Sequence, residues 1–248
     1  MKNLIAFCLC LLISQFSFAE EKTVYLTSLD WPPYSGKNLS GGGASIEVAR
    51  AAFKAMGYKL VVDFFPWSRT VALAKEESSK YAGYFPEYYS DAVAKEFIYS
   101  DVMGSGPLGF AERASDPVDW NKISDLEKYS IGVIQDYVND GADFDAAVAA
   151  GKIKVQPVTS DATNLVKLLN NRIDLAVVDK NVLSYILKTD KRFAGKQDKL
   201  QFNKKLLVDN KLYITFKKNA MGEKLNKIFN EGLTKIDVEK IMETKMSQ

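Results

Sequence analysis

Histidine is absent from all 248 residues, and that absence excludes a wide range of chemistry. Without imidazole there is no usual general base, no commonest transition-metal ligand, and no Ser-His or Cys-His nucleophile pair. Enzyme chemistry would have to run on carboxylates, lysine or tyrosine, and a structural zinc site is nearly excluded. Cysteine is almost as scarce: Cys8 and Cys10 are the only two. Both fall in a segment with the features of a secretory leader, where Lys2 precedes the apolar run 4–13 and Ser17-Phe18-Ala19 supplies a small-x-small cleavage pattern. Cleavage after Ala19 is expected. The mature chain would then carry no thiol, no disulfide and, since neither cysteine follows a small residue, no lipid anchor.

Long apolar runs are also missing. The leader's run falls short of the roughly 20 residues that span a bilayer, and no later segment approaches that length, so the chain is not expected to be membrane-embedded. Charge of one sign is missing as well, with 33 basic residues against 31 acidic ones. The basic residues are scattered, which leaves no electrostatic footprint for nucleic acid. Gly41-Gly42-Gly43 lacks the Lys-Ser/Thr ending and the fingerprint spacing of a phosphate-cradling loop, so it reads as a lead into a helix and no cofactor is expected.

What is present is an alternation of strands and helices. Residues 23–29 read as a strand that runs into Asp30-Trp31-Pro32-Pro33-Tyr34, where prolines cannot continue a sheet ladder. Ile46, Ala49, Phe53 and Met56 recur at helical spacing, Gly57 supplies a left-handed terminus, and 58–64 is the next strand. After the loop 65–69 come a short helix over 71–77, a strand over 81–85 and a second aromatic loop, Pro86-Glu87-Tyr88-Tyr89. A second α/β unit follows, with strands near Phe110, over 130–134 and over 173–178, and a helix over 161–169 capped by Ser160. The chain closes with a strand over 212–216 and an amphipathic helix bearing Leu225, Ile228, Phe229, Leu233 and Ile236, after which only a few residues remain. Loops at the carboxyl ends of strands are where open α/β sheets bind ligands.

The succession Trp31-Pro32-Pro33-Tyr34, Gly43-x-x-Ile46-Glu47, Pro66-Trp67-Ser68-Arg69, Glu96-Phe97-Ile98-Tyr99-Ser100-Asp101, Ile131-Gly132-Val133 and the stretch 168–179 resembles the bacterial extracellular solute-binding protein family 3. The resemblance implies a type II periplasmic-binding-protein fold of two α/β lobes with a ligand cleft between them. It implies a leader over 1–19, a first lobe over 20–107, a second over 108–206, and a return to the first over 207–248, with crossing strands near Ser105-Gly106 and 206–211. It implies a periplasmic, monomeric protein that catalyses nothing and captures a small polar solute, an amino acid or a related amine or peptide. An inner-membrane permease of the ATP-driven transporter class would take the solute, with a periplasmic sensor as the alternative reader.

The expected ligand contacts are Trp31, Tyr34, Trp67, Arg69, Pro86, Tyr88, Tyr137 and Asp179. Flat aromatic faces sandwich an apolar or cationic ligand portion at little entropic cost. Asp179 falls where the family places a carboxylate for the ligand's amino group, and a helix N-cap is its competing role. One departure matters: the arginine expected six positions before Tyr99 is Val93, which cannot grip a carboxylate in bidentate fashion. Arg69 is the candidate replacement. Gln135-Asp136-Tyr137 also stands where a glycine is expected. The rival reading is a hydrolase using two acids among Asp30, Glu87, Asp136 and Asp179, which would need split pKa values.

Overall fold

The computed structural model describes residues 22–135 and 141–246. Residues 1–21, with Cys8, Cys10 and the expected leader, and the stretch holding Asp136 and Tyr137 lie outside the described residues. The chain runs β1 (Lys22–Ser28), α1 (Ala44–Ala55), β2 (Tyr58–Phe64), α2 (Trp67–Lys75), β3 (Gly83–Glu87), α3 (Asp91–Glu96), β4 (Phe97–Tyr99) and β5 (Gly104–Arg113). It continues through β6 (Ser130–Ile134), α4 (Ala142–Ala149), β7 (Lys154–Val158), α5 (Asp161–Leu169), β8 (Leu175–Asp179), α6 (Lys180–Thr189), β9 (Leu200–Lys217), α7 (Ala220–Leu233) and α8 (Val238–Met246).

The strands lie in the order β2-β1-β3-β9-β5-β8-β6-β7, with β4 also on β9. β1 and β2 are parallel neighbours, as are β6 with β7 and β8, which fits strands joined through helices. β9 is the exception in length. Its first part pairs antiparallel with β5, from Arg113 opposite Leu200 to Gly104 opposite Leu212, and its last part pairs with β3 and β4. One strand thus runs continuously through both halves of the sheet, and Ser105 and Gly106 face Lys211 and Asn210 within it.

The larger apolar cluster spans both units, from Phe53 and Phe216 to Leu165, Leu168 and Val182, and a smaller one lies in the second unit. In the larger, Phe53 of α1 meets Phe229 of α7 at 5.3 Å between ring centres, and Phe229 meets Phe216 of β9 at 6.3 Å. The smaller is built on Phe110 of β5, whose ring lies 5.7 Å from Trp120 and 6.0 Å from Phe144 of α4. Among the described residues no helix is long and apolar enough to cross a membrane.

Three expected boundaries move. α2 begins at Trp67, because Pro66, with φ fixed at −55°, is already set for the residue before a helix. Pro86 and Glu87 belong to β3, at a register irregularity against β9 where a proline's missing N–H is tolerated. The strand read over 212–216 is only the end of β9, and the residues after α7 form a further helix, α8.

Candidate functional site

The loop after β1 is tied into a tight unit by its own backbone. Trp31 N donates to Ser35 O at 2.8 Å, and the first amides of α1 close it, Ala44 N on Pro33 O at 3.0 Å and Ser45 N on Tyr34 O at 2.8 Å. Those amides are the ones a helix start would otherwise offer to an anion. The fixed loop stacks Trp31 on Tyr34, with 4.4 Å between centres and 19° between planes, and sets Tyr88 edge-on to Trp31 at 5.9 Å. Trp67, at the first position of α2, lies edge-on to Tyr84 of β3 at 5.5 Å.

These side chains enclose a recess of about 30 Å³, lined by Leu29, Trp31, Trp67, Pro86, Glu87 and Tyr88, with Leu212 of β9 behind them. Leu29, Trp31 and Trp67 are shared with a larger cleft of about 720 Å³. One wall of that cleft includes Asp30, Lys37, Phe65 and Ser68, and the other includes Gln135, Ser160, Asp161, Tyr185 and Asp190. The cleft therefore lies between the two α/β units, at the ends of β1 and β2 on one side and of β6 and β7 on the other.

Glu87 is the buried carboxylate of the recess. Its Oε2 accepts from the Tyr84 hydroxyl and its Oε1 from Tyr88 N, each at 2.8 Å. Burial pushes its carboxyl up to about 7 despite those bonds. In the larger cleft, Asp161 opens α5, and burial followed by the charge of Asp179 pushes it up to about 7 as well.

The expected contacts thus separate. Trp31, Trp67, Pro86 and Tyr88 converge on the recess. Tyr34 and Asp179 are buried beside it and hold each other: the Tyr34 hydroxyl donates to Asp179 Oδ2 at 2.9 Å and accepts from Asn181 Nδ2 at 2.8 Å. Asp179 Oδ1 caps α6 by accepting from Asn181 N at 2.7 Å and Val182 N at 3.1 Å, so its capping role is the one seen in the geometry. Burial pushes the Asp179 carboxyl up to about 7 and raises the Tyr34 phenol. Arg69 is exposed, its guanidinium 5.2 Å from the Phe65 ring centre and outside the lining of recess and cleft. Val93 packs on the Tyr84 and Phe97 cluster. Tyr137 lies outside the described residues. Glu87, weighed from the sequence as one acid of the hydrolase reading, stands in the recess directly after Pro86. Tyr185 and Asp190, on and just after α6, line the cleft and carried no signal in the sequence.

The sequence matches no family model and no curated protein. Solved structures do match. A histidine kinase sensor domain with similarity to periplasmic binding proteins superposes at TM-score 0.74 with 18% identity, over 92% of this chain and 95% of that one. The substrate-binding protein of an amino acid ABC transporter gives 0.71 and 18%, over 91% of this chain and 100% of that one. An amino acid ABC transporter substrate-binding protein from Streptococcus pneumoniae, bound to L-arginine, gives 0.71 and 15%, over 91% and 94%. With its two α/β halves, the continuous β9 and the cleft between them, the chain has the two-lobed periplasmic-binding-protein fold.

Proposed function

We propose that this protein is a periplasmic solute-binding protein that captures a small polar molecule in the cleft and presents it to an ABC-type permease in the membrane. The observation that carries the reading is the cleft itself: about 720 Å³ between two walls from different α/β units, continuous with an aromatic recess. Sites of that size with a few polar groups among aromatic walls are what small-molecule capture requires. In this reading 20–107 and 207–248 form the first lobe and 108–206 the second, the lobes closing about the paired strands near Ser105 and Lys211. Trp31, Trp67, Pro86 and Tyr88 are the ligand contacts, and the protein acts as a monomer without catalysis. The absence of histidine and the engagement of Asp179 in capping favour binding over a carboxylate hydrolase. A second reading, that a sensor reads the closed form, is favoured by the likeness to a kinase sensor domain.

A thermal-shift screen of the mature protein against amino acids, polyamines, short peptides, sugars and organic acids tests the proposal, because ligands of the native state stabilise it by mass action. A saturable rise in melting temperature for one chemical class, lost in Trp67→Ala, is expected. Silence across all classes after bound material has been removed by unfolding and refolding would sink solute capture.

A further inference from the structure

We propose that the recess takes the ammonium head of an organic cation that carries no carboxylate, an inference that rests on the solute-capture reading and narrows its ligand class. Three aromatic side chains, Trp31, Trp67 and Tyr88, line the recess, which shares Leu29, Trp31 and Trp67 with the larger cleft. The faces of such rings carry negative quadrupole potential and attract ammonium groups most strongly where water is excluded. Glu87 lies in the same lining and is buried. Each of its oxygens accepts one hydrogen bond, and a carboxylate has about four acceptor sites, so each oxygen keeps one for a ligand N–H or for direct charge contact. Among the described residues no lysine or arginine forms an ion pair with Glu87. A buried carboxylate without a counter-charge is costly, and a bound cation would supply that charge.

Among the described residues, Lys37 is the one cation in the lining that could meet a ligand carboxylate. No arginine is among the described residues lining recess or cleft. Arg69 lies over Phe65 outside it, and Arg192 is held by Asp190. The amides at the start of α1 are spent on Pro33 and Tyr34. In the larger cleft Lys37 stands with Asp30, Asp161 and Asp190, of which Asp190 is paired with Arg192. Since Leu29, Trp31 and Trp67 border both spaces, a head seated in the recess directs its tail into the cleft toward Ser160 and Asp161.

Titration calorimetry on the refolded mature protein, with choline, putrescine, glycine betaine and L-glutamate as probes, tests the inference. Choline and glycine betaine share one trimethylammonium head and differ in the carboxylate. The expected result is saturable binding of choline or putrescine, with glycine betaine at least about tenfold weaker than choline. Glu87→Gln should weaken the cation about tenfold or more. Should that variant fail to fold, Trp67→Leu, which keeps apolar bulk and removes the ring face, should also cost about tenfold. Glycine betaine or L-glutamate binding as tightly as the cations would overturn the inference, as would cation binding unchanged in both variants; solute capture would stand in either case. If none of these probes binds while the wider screen finds an uncharged or anionic solute, the inference alone fails. If that screen is silent too, both readings fail.

Discussion

Tyr34 and Asp179, separated by 145 positions in the chain, meet as donor and acceptor at 2.9 Å; Glu87 is likewise buried, and Asp161 is half-buried in the cleft lining. Burial pushes all three carboxyls up to about 7. Unfolded, such groups titrate near 4. Between those values the native state holds more protons than the unfolded chain, so stability falls as pH rises from about 5 through 7. Calorimetric melting of the unliganded protein should therefore give a lower melting temperature at pH 8 than at pH 5.5, with a smaller difference in Asp179→Asn. A melting temperature that rises over that interval would show that these groups are not desolvated as described. The sequence marked Asp179 by its place after an apolar strand, and it is at the end of β8. It did not reveal that both carboxylate oxygens accept hydrogen bonds from α6 and Tyr34, because that depends on a partner far away in the chain.

At the scale of elements, local signals located most of the regular structure. The 58–64 and 130–134 strands follow their apolar patterning, and Ser160 caps α5 by accepting from Thr163 N, as expected. The signals failed where a tertiary contact overrides them. Pro86 reads as a strand breaker, yet β3 carries it through an irregular pairing with β9, which brings Glu87 into the recess. β9 itself has polar residues at Asn203, Lys204 and Lys205 that conceal its first half, and its length comes from pairing with β5. The loop holding Trp31 depends on Gly43, whose φ of 101° and ψ of 173° belong to a region that only glycine occupies freely. A Cβ there would sit 2.7 Å from Tyr34 O and 2.9 Å from Pro33 O. Gly43→Ala should cost about 3 kcal/mol, from strain plus that collision. Gly151→Ala, also at positive φ but with open space around it, should cost about 1 kcal/mol. Equal losses in chemical denaturation would mean that the collision with the Trp31 loop is relieved elsewhere.

At the scale of the whole molecule, the order of motifs in the sequence announced two α/β units, and the strand order places them on either side of a shared, continuous β9. The cleft's charged groups were less legible. Val93 was a visible departure, but only the packed structure shows it against Tyr84 and Phe97, with Arg69 over the Phe65 ring and a buried glutamate in the lining beside three aromatic residues. The central claim is capture of a small solute between the two units. Native mass spectrometry of the refolded mature protein, incubated with a small-molecule extract of bacterial periplasm, tests it most directly. The account predicts a one-to-one adduct whose added mass is that of a small solute, absent in Trp67→Ala. The bare polypeptide mass alone at every extract concentration would contradict it.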